Sequence, residues 1–318
     1  MRFRYDFMRA FVDAARGPRR VRREPDDGPG RAAIIGAMVT RRNLLTRSLL
    51  GPALGLGLEL APGPAAWAQQ RRSLADPLRL GVDLALFDSG LAHALQRAFG
   101  RDTGLAAQLV RGAALPLLEA LDRGELDAAL TNAPEAEARL DQQGLAHDRR
   151  AIARGAFVIV GPAPRGKQPD PAALAGGRQA VPALTRLRDA ALAAPGTITF
   201  LSAADGSGTH VLEQALWRQA RIAPAPPWYA AAGAAPGLIA QARQRGAYAL
   251  VELGAWLAHG GAPLAVLVEG DPQLDESVHV MRAFRFNHPA GAIFDAWIGG
   301  PKGRRVVAGQ RGYRVAGA

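Results

Sequence analysis

"FLSAADGSGTHVLEQALW", residues 200–217, reads as a short apolar strand, a turn of small residues and an amphipathic helix. Ser207 is a preferred N-cap, and Gly208 has no side chain to hold a neighbour away from the helix start. The first amides of a helix lack an internal partner and sit at the positive end of its macrodipole. The turn Asp205-Gly206-Ser207-Gly208-Thr209-His210 therefore suits an anion at the carboxyl end of a strand, where open α/β sheets hold their ligands.

A second stretch, "LGVDLALFDSGLAHALQRAF" (residues 80–99), repeats the device, with Asp88-Ser89-Gly90 leading into a helix. Two capped helix tips, one in each of two lobes, could face each other across a cleft. Ordinary capping explains either stretch taken alone. Further short apolar runs fit buried strands at 78–82, 107–110, 128–131, 156–160, 197–201, 248–251 and 264–268. Helical patterns lie between them: Leu91, Leu95 and Phe99 repeat at four residues, as do Leu117 and Leu121, while Val211, Leu212, Ala215 and Leu216 make one apolar face. This alternation predicts an α/β protein with parallel sheets and helices on both faces. A last helix is expected near 294–298. The Pro-, Gly- and Ala-rich stretch 162–182 and the breaker cluster "EGDPQLDE" (269–276) mark lobe boundaries. If "AFVIVGP" and "LAVLVEG" are two crossovers, the middle of the chain forms one lobe and its ends the other.

Composition narrows the chemistry. The 318 residues include no Cys, which excludes disulfides, thiolate metal sites and a Cys nucleophile. The six His are scattered without metal-ligand spacing, so neither a metal nor another cofactor is expected. Asp205, Ser207 and His210 crowd one helical turn, and Ala204 stands where a nucleophile elbow needs Gly, so catalysis is not the expected activity. Trp228-Tyr229, after a Pro run, reads as packing.

The N-terminal region is of another kind. Residues 1–37 hold nine Arg and no apolar period, as a disordered or untranslated extension would, with Met38 as an alternative start. Residues 38–68 have the layout of a secretory signal: Arg41-Arg42, an apolar stretch broken by Pro52 and Glu59, and Ala66-Trp67-Ala68 as a small-x-small cleavage site. The paired arginines suggest twin-arginine export, and a mature chain beginning near Gln69. Of the 39 basic and 28 acidic residues, 12 and 6 lie before residue 69, leaving 27 against 22. The net charge of +11 thus falls to +5 in the mature part, with no basic stripe to suggest nucleic-acid binding.

The opening stretch resembles the Ser-Arg-Gly-Asp-x-Ser-Gly-Thr-His segment of tungstate-binding periplasmic proteins, the solute receptors of tungstate ABC importers. Further similar segments follow in order: "FDSGL" (87–91), "APEAEARLDQQGL" (133–145), "RRAIARGAFVIVGP" (149–162), "WYAAAGAAPG" (228–237), "GAYALVELG" (246–254), "LAVLVEGDP" (264–272) and "FDAWIGGPKGRRVV" (294–307). The resemblance implies a two-lobed type II periplasmic-binding-protein fold with two crossover hinge strands. It implies lobe 1 from 76–160 and 267–318, lobe 2 from 161–266, and closure on a small solute.

It also implies a periplasmic, non-enzymatic monomer that hands an oxyanion to the membrane permease of an ABC importer. The alternative is a divergent receptor for another small solute, acting in sensing or delivery; a hydrolytic enzyme is the third reading. In the family the oxyanion is held by a Thr-Thr-Thr-Ser loop after the first strand, a Gly-rich loop after the second, and the Ser-Arg-Gly-Asp segment. Here the first loop is Val82-Asp83-Leu84-Ala85, the second is Arg111-Gly112-Ala113, and Ala203 stands where the family has Arg. The ligand-binding set expected from the match is Asp83, Ser89, Gly90, Arg111, Asp205, Ser207, Gly208, Thr209 and His210. Arg111 would supply a cation to the cleft. Asp83 would oppose a dianion by roughly 4 kcal/mol per unit charge at 4 Å and an effective dielectric near 20, unless it pairs with Arg111.

Overall fold

The fold turns on a 17-residue strand that changes partners midway. The computed structural model describes residues 73–317 apart from 233–236 and 286, so the extension 1–37 and the signal 38–68 lie outside the described residues. β1 (Leu78–Asp83), β2 (Ala107–Gly112) and β3 (Ala128–Thr131) form a parallel ladder in the order β2-β1-β3. β4 (Ala146–Pro162) then runs antiparallel to β9 (Asp275–Ala283) from Ala146 to Ala156, with β10 (Arg314–Val315) on its other side. Beyond Ala156 it pairs instead with β7 (Ala249–Glu252) and β8 (Leu264–Val268), also antiparallel. A parallel pair, β5 (Phe200–Ser202) and β6 (Tyr229–Ala231), completes the second lobe. The sheets are therefore mixed, parallel under the helices and antiparallel where the lobes join, which corrects the all-parallel expectation.

Helices cover both lobes. In the first they are α1 (Leu84–Asp88), α2 (Leu91–Thr103), α3 (Ala114–Asp122) and α4 (Pro134–Gln142). In the second they are α5 (Ala180–Ala193), α6 (Gly208–Gln219), α7 (Leu238–Arg245) and α8 (Leu253–His259). α9 (Pro289–Gly299) and α10 (Pro301–Ala308) return to the first. Each lobe has its own core. Leu91, Leu95 and Phe99 of α2 pack with Leu80, Val278, Phe294 and Trp297, whereas Phe157, Leu184, Phe200, Trp217, Trp228 and Tyr248 fill the second lobe. Trp228 stands edge-on to Trp217 at 5.7 Å between centroids, the packing role its sequence context suggests. Among the described residues no helix is long and apolar enough to cross a membrane.

Candidate functional site

β5 delivers the chain into α6 through the small-residue turn, and the sequence explains its geometry. Ala204 and Gly206 both take positive φ, 51° and 80°, so the backbone doubles back between strand and helix. Asp205 Oδ1 accepts from the Ser207 amide at 2.9 Å, His210 Nδ1 accepts from the Gly206 amide at 3.0 Å, and Ser207 Oγ caps the helix by accepting from the His210 amide at 3.3 Å. Burial and the neighbouring Asp205 act on His210 in opposite senses; burial dominates and lowers its pKa. Ser207, Gly208 and Thr209 are buried.

Opposite this turn stands the end of β1. Asp83 has no exposed surface. Its Oδ1 accepts from the Ala85 amide at 3.0 Å, capping α1, and its Oδ2 accepts from the Gly208 amide of α6 at 3.1 Å. The amide of Ala114, at the start of α3, also hydrogen-bonds to it. A carboxylate of the first lobe thus lies on the tips of three helices, one belonging to the other lobe. Leu115 N donates to Gly206 O at 3.1 Å alongside it. A side chain at Gly208 would bring a Cβ to 1.9 Å from Asn132 Oδ1 and 2.7 Å from Asn132 O, so only Gly allows this approach. Burial pushes the Asp83 carboxyl up to about 7, the three amides pull it down, and Asp205 adds to the upward shift.

Behind Asp83 lies a buried polar cluster. Asn132 Nδ2 donates to Glu276 Oε1 at 2.5 Å. Glu252 caps α8, its two oxygens accepting from Gly254 N and Ala255 N, each at 2.6 Å. Desolvation by burial raises the pKa of both Glu252 and Glu276, with repulsion from Glu252 adding to the rise at Glu276. Tyr313 Oη donates to Ser89 Oγ at 2.9 Å. In the second lobe Glu213, on the buried face of α6, accepts from Tyr229 Oη at 2.7 Å and Trp217 Nε1 at 3.3 Å. Desolvation lifts its carboxyl to about 7. Among the described residues no group of three or more His, Asp or Glu is placed to hold a metal.

The structure brings together Asp83, Asp205, Ser207, Gly208, Thr209 and His210, and gives the other three expected residues different places. Ser89 is the C-cap of α1, and Gly90, at φ 85°, starts α2 without a side-chain cap. The tip that meets α6 from the first lobe is thus Asp83 with α3, not Ser89 with α2. Arg111 turns away from Asp83 and makes a two-pronged pair with Asp88, Nε to Oδ1 at 3.1 Å and Nη2 to Oδ2 at 2.9 Å, over the Phe87 ring. Asn132, Glu213, Glu252, Glu276 and Tyr313 escaped the sequence reading. One signal was present: Val251-Glu252-Leu253-Gly254 repeats the strand-end acid of Val82-Asp83-Leu84-Ala85, the pattern of a carboxylate that caps the next helix. A cavity of about 410 Å³ lies at the edge of β4, β9 and β10, lined by Arg154, Gly155, Asp275, Glu276 and Arg314; it shares only Glu276 with the polar cluster.

Known proteins repeat this architecture. The chain is 28% identical to the tungstate-binding protein TupA of Peptoclostridium acidaminophilum, over 75% of this chain and 82% of that protein. The crystal structure of the tungstate ABC transporter from Geobacter sulfurreducens aligns with a TM-score of 0.62 and 27% identity, over 74% of this chain and 99% of that one. The tungstate-binding protein TupA from Desulfovibrio alaskensis G20 aligns with a TM-score of 0.59 and 25% identity, over 76% and 99%. The sequence profile of the PBP superfamily domain matches residues 85–282, most of both lobes. The chain belongs to the PBP superfamily.

Proposed function

We propose that this protein is the exported solute receptor of an ABC importer and binds a small oxyanion of the tungstate class between its two lobes. One observation carries the reading. The starts of α3 and α6, from different lobes, converge on a single buried anionic group, so the fold has a place fitted to oxygen acceptors. The tungstate-binding relatives supply the class of ligand. Residues 76–160 with 267–318, and residues 161–266, are the two bodies that open and close. The hinge is formed by β4 near Ala156 and by the chain between β8 and β9, where small dihedral changes suffice. Asp205, Ser207, Gly208, Thr209 and His210 form the second lobe's half of the site. In this reading residues 38–68 direct export to the periplasm by the twin-arginine route, and the mature monomer delivers its ligand to the membrane permease.

The test is calorimetric titration of tungstate, molybdate, sulfate and phosphate into the protein, with small-angle scattering under saturation. Saturable binding with a smaller radius of gyration is expected. No binding of any of the four anions refutes the reading. A second reading, a receptor for another small solute used in sensing or delivery, is favoured by one feature: Asp83 already takes the Gly208 amide that an oxyanion would use. Binding of a non-anionic solute at the same residues would establish it.

A further inference from the structure

We propose that Asp83 makes capture proton-coupled: its carboxylate occupies the cradle as the protein's own anion, and a tetrahedral oxyanion is held there only with one proton shared between it and Asp83. The proposal rests on the oxyanion reading above and adds the rule by which that site selects its ligand.

The carboxylate fills the position rather than guarding it. Its two oxygens take the amides of Ala85 and Gly208, which belong to helices of different lobes. The interface around it is tight, since Gly208 Cα abuts Asn132 closely enough to exclude any Cβ. Asn132 is buried beside Gly208 and leaves its Oδ1 without a partner at this interface. A surplus acceptor of this kind calls for a donor, and a bare dianion offers none. The titratable groups facing Asp83 are acidic: Asp205 in the turn ahead of α6, which adds to the rise of its pKa, and Glu276 on β9, whose own pKa is raised by burial first and then by its acidic neighbours. The cations and imidazole nearest in sequence to the site are engaged elsewhere, Arg111 with Asp88 and the His210 ring with the Gly206 amide.

An oxyanion entering this cradle brings its oxygens against a carboxylate in a water-poor space. Two anions in such contact do not both stay fully charged; one proton between them turns repulsion into a charge-assisted hydrogen bond. Whether that proton is drawn on Asp83 or on the ligand makes no difference to the balance: the complex contains one more proton than the free carboxylate and a bare dianion together. Burial places the Asp83 carboxyl near 7, so the proton is available at neutral pH. Anions then fall into two groups. Inorganic phosphate still carries a proton at pH 8 and brings its own. Tungstate and sulfate carry none and must take one from solvent.

The test is calorimetric titration of the full-length protein with tungstate, sulfate and inorganic phosphate at pH 6 and pH 8, each in two buffers of different ionisation enthalpy. Wild type is expected to take up about one proton per tungstate at pH 8, and to bind it about tenfold less tightly there than at pH 6. Phosphate is expected to bind at pH 8 without uptake. Asp83→Asn should bind tungstate with no proton uptake and equal affinity at both pH values; Asp83→Ser serves the same purpose if the Asn variant fails to fold. Wild-type binding of tungstate at pH 8 with no uptake and undiminished affinity overturns the proposal and leaves the receptor reading standing. If wild type binds none of the three anions at either pH, the receptor reading falls and the proposal falls with it.

Discussion

Two strand-to-helix turns meet at the centre of this protein, and they handle the same physical problem in opposite ways. At the end of β5 the turn is built from Ala204, Asp205, Gly206 and Ser207, whose small side chains are spent on organising the turn itself. The Gly208 amide is left for something outside the second lobe. At the end of β1 a buried carboxylate reaches past its own helix, capping Ala85 and taking that remaining Gly208 amide. One turn is a donor without a ligand and the other is a ligand in search of donors. The contact between them fixes the lobes at the spacing seen here, and the following variants break or sharpen that asymmetry.

The largest effect is expected at Gly208. A Val there places branched carbon where Asn132 Oδ1 sits 1.9 Å from the would-be Cβ, and the backbone oxygen of Asn132 bars the second escape. Overpacking of this severity costs up to about 3 kcal/mol, so the lobes part rather than absorb it. Gly208→Val should lower anion affinity about 100-fold, the equivalent of that energy, and scattering should show an enlarged radius of gyration that added ligand does not reduce. A variant that binds and closes like wild type would show that the two turns do not need to touch.

The second lobe carries a titratable group under its turn, and that gives a stability signature. The Glu213 carboxyl is raised from 4.5 to about 7 by burial on α6. A raised folded-state value means that the native state binds the proton more tightly. The stabilisation is therefore full below about pH 4.5 and is lost as pH rises through 7. This group alone should cost about 2–3 kcal/mol of stability between pH 4.5 and 8. Glu213→Gln keeps an acceptor for Tyr229 and Trp217 and has no proton to lose. Denaturant midpoints at pH 5 and pH 8 should accordingly lie closer together in the variant. An unchanged gap would assign the pH dependence to Asp83, Glu252 and Glu276 instead.

A smaller loss tests the first lobe's own support. Tyr313→Phe deletes the bond from Oη to Ser89 Oγ, 2.9 Å, which ties the C-terminal segment to the residue linking α1 and α2. About 1 kcal/mol of stability should go with it, seen as a shift in denaturant midpoint without a change in slope. Anion affinity unchanged alongside that shift would separate support of the turn from the cradle itself.

How much of this was written in the sequence depends on the range of the interaction. Local patterns were legible: Ser207 caps α6, the repeat of Leu91, Leu95 and Phe99 is the buried face of α2, and Ala128–Thr131 is a strand. The first half of β4 was not legible, because "AHDRRAIARG" is polar where it pairs with β9 at the edge and offers no apolar run. β9 was likewise hidden behind a breaker cluster that turned out to begin a strand. The buried face of α6 differs from the apolar pattern for a related reason. Thr209, Glu213, Leu216 and Trp217 are buried while Val211 and Leu212 are only partly so, because a carboxylate satisfied by Tyr229 and Trp217 packs as core. The sequence suggests Asp83 as a charge in the cleft, but its partner lies 125 residues away on Gly208, a pairing that no local pattern encodes.

Arg111 is where sequence reasoning and geometry part most clearly, and its variant should have the smallest effect. Its place at the carboxyl end of β2 makes it the natural cation for the cleft, the replacement for the Arg that the family resemblance expects at Ala203. In the structure its guanidinium lies on Asp88 and against the Phe87 ring, with both charged side chains more than a third exposed. A pair that open to water gains little from Coulomb attraction and is screened by salt, so its contribution is about 1 kcal/mol or less. Arg111→Ala should therefore shift stability by no more than that, and the shift should vanish in 1 M salt. Tungstate affinity at pH 6 should stay within about twofold of wild type, because the Gly208 amide and the protonated Asp83 would hold the anion without it. Loss of binding in Arg111→Ala, with stability intact, would mean that the guanidinium swings from Asp88 into the cleft when an anion arrives. The cation missing at Ala203 would then have been replaced from the opposite lobe.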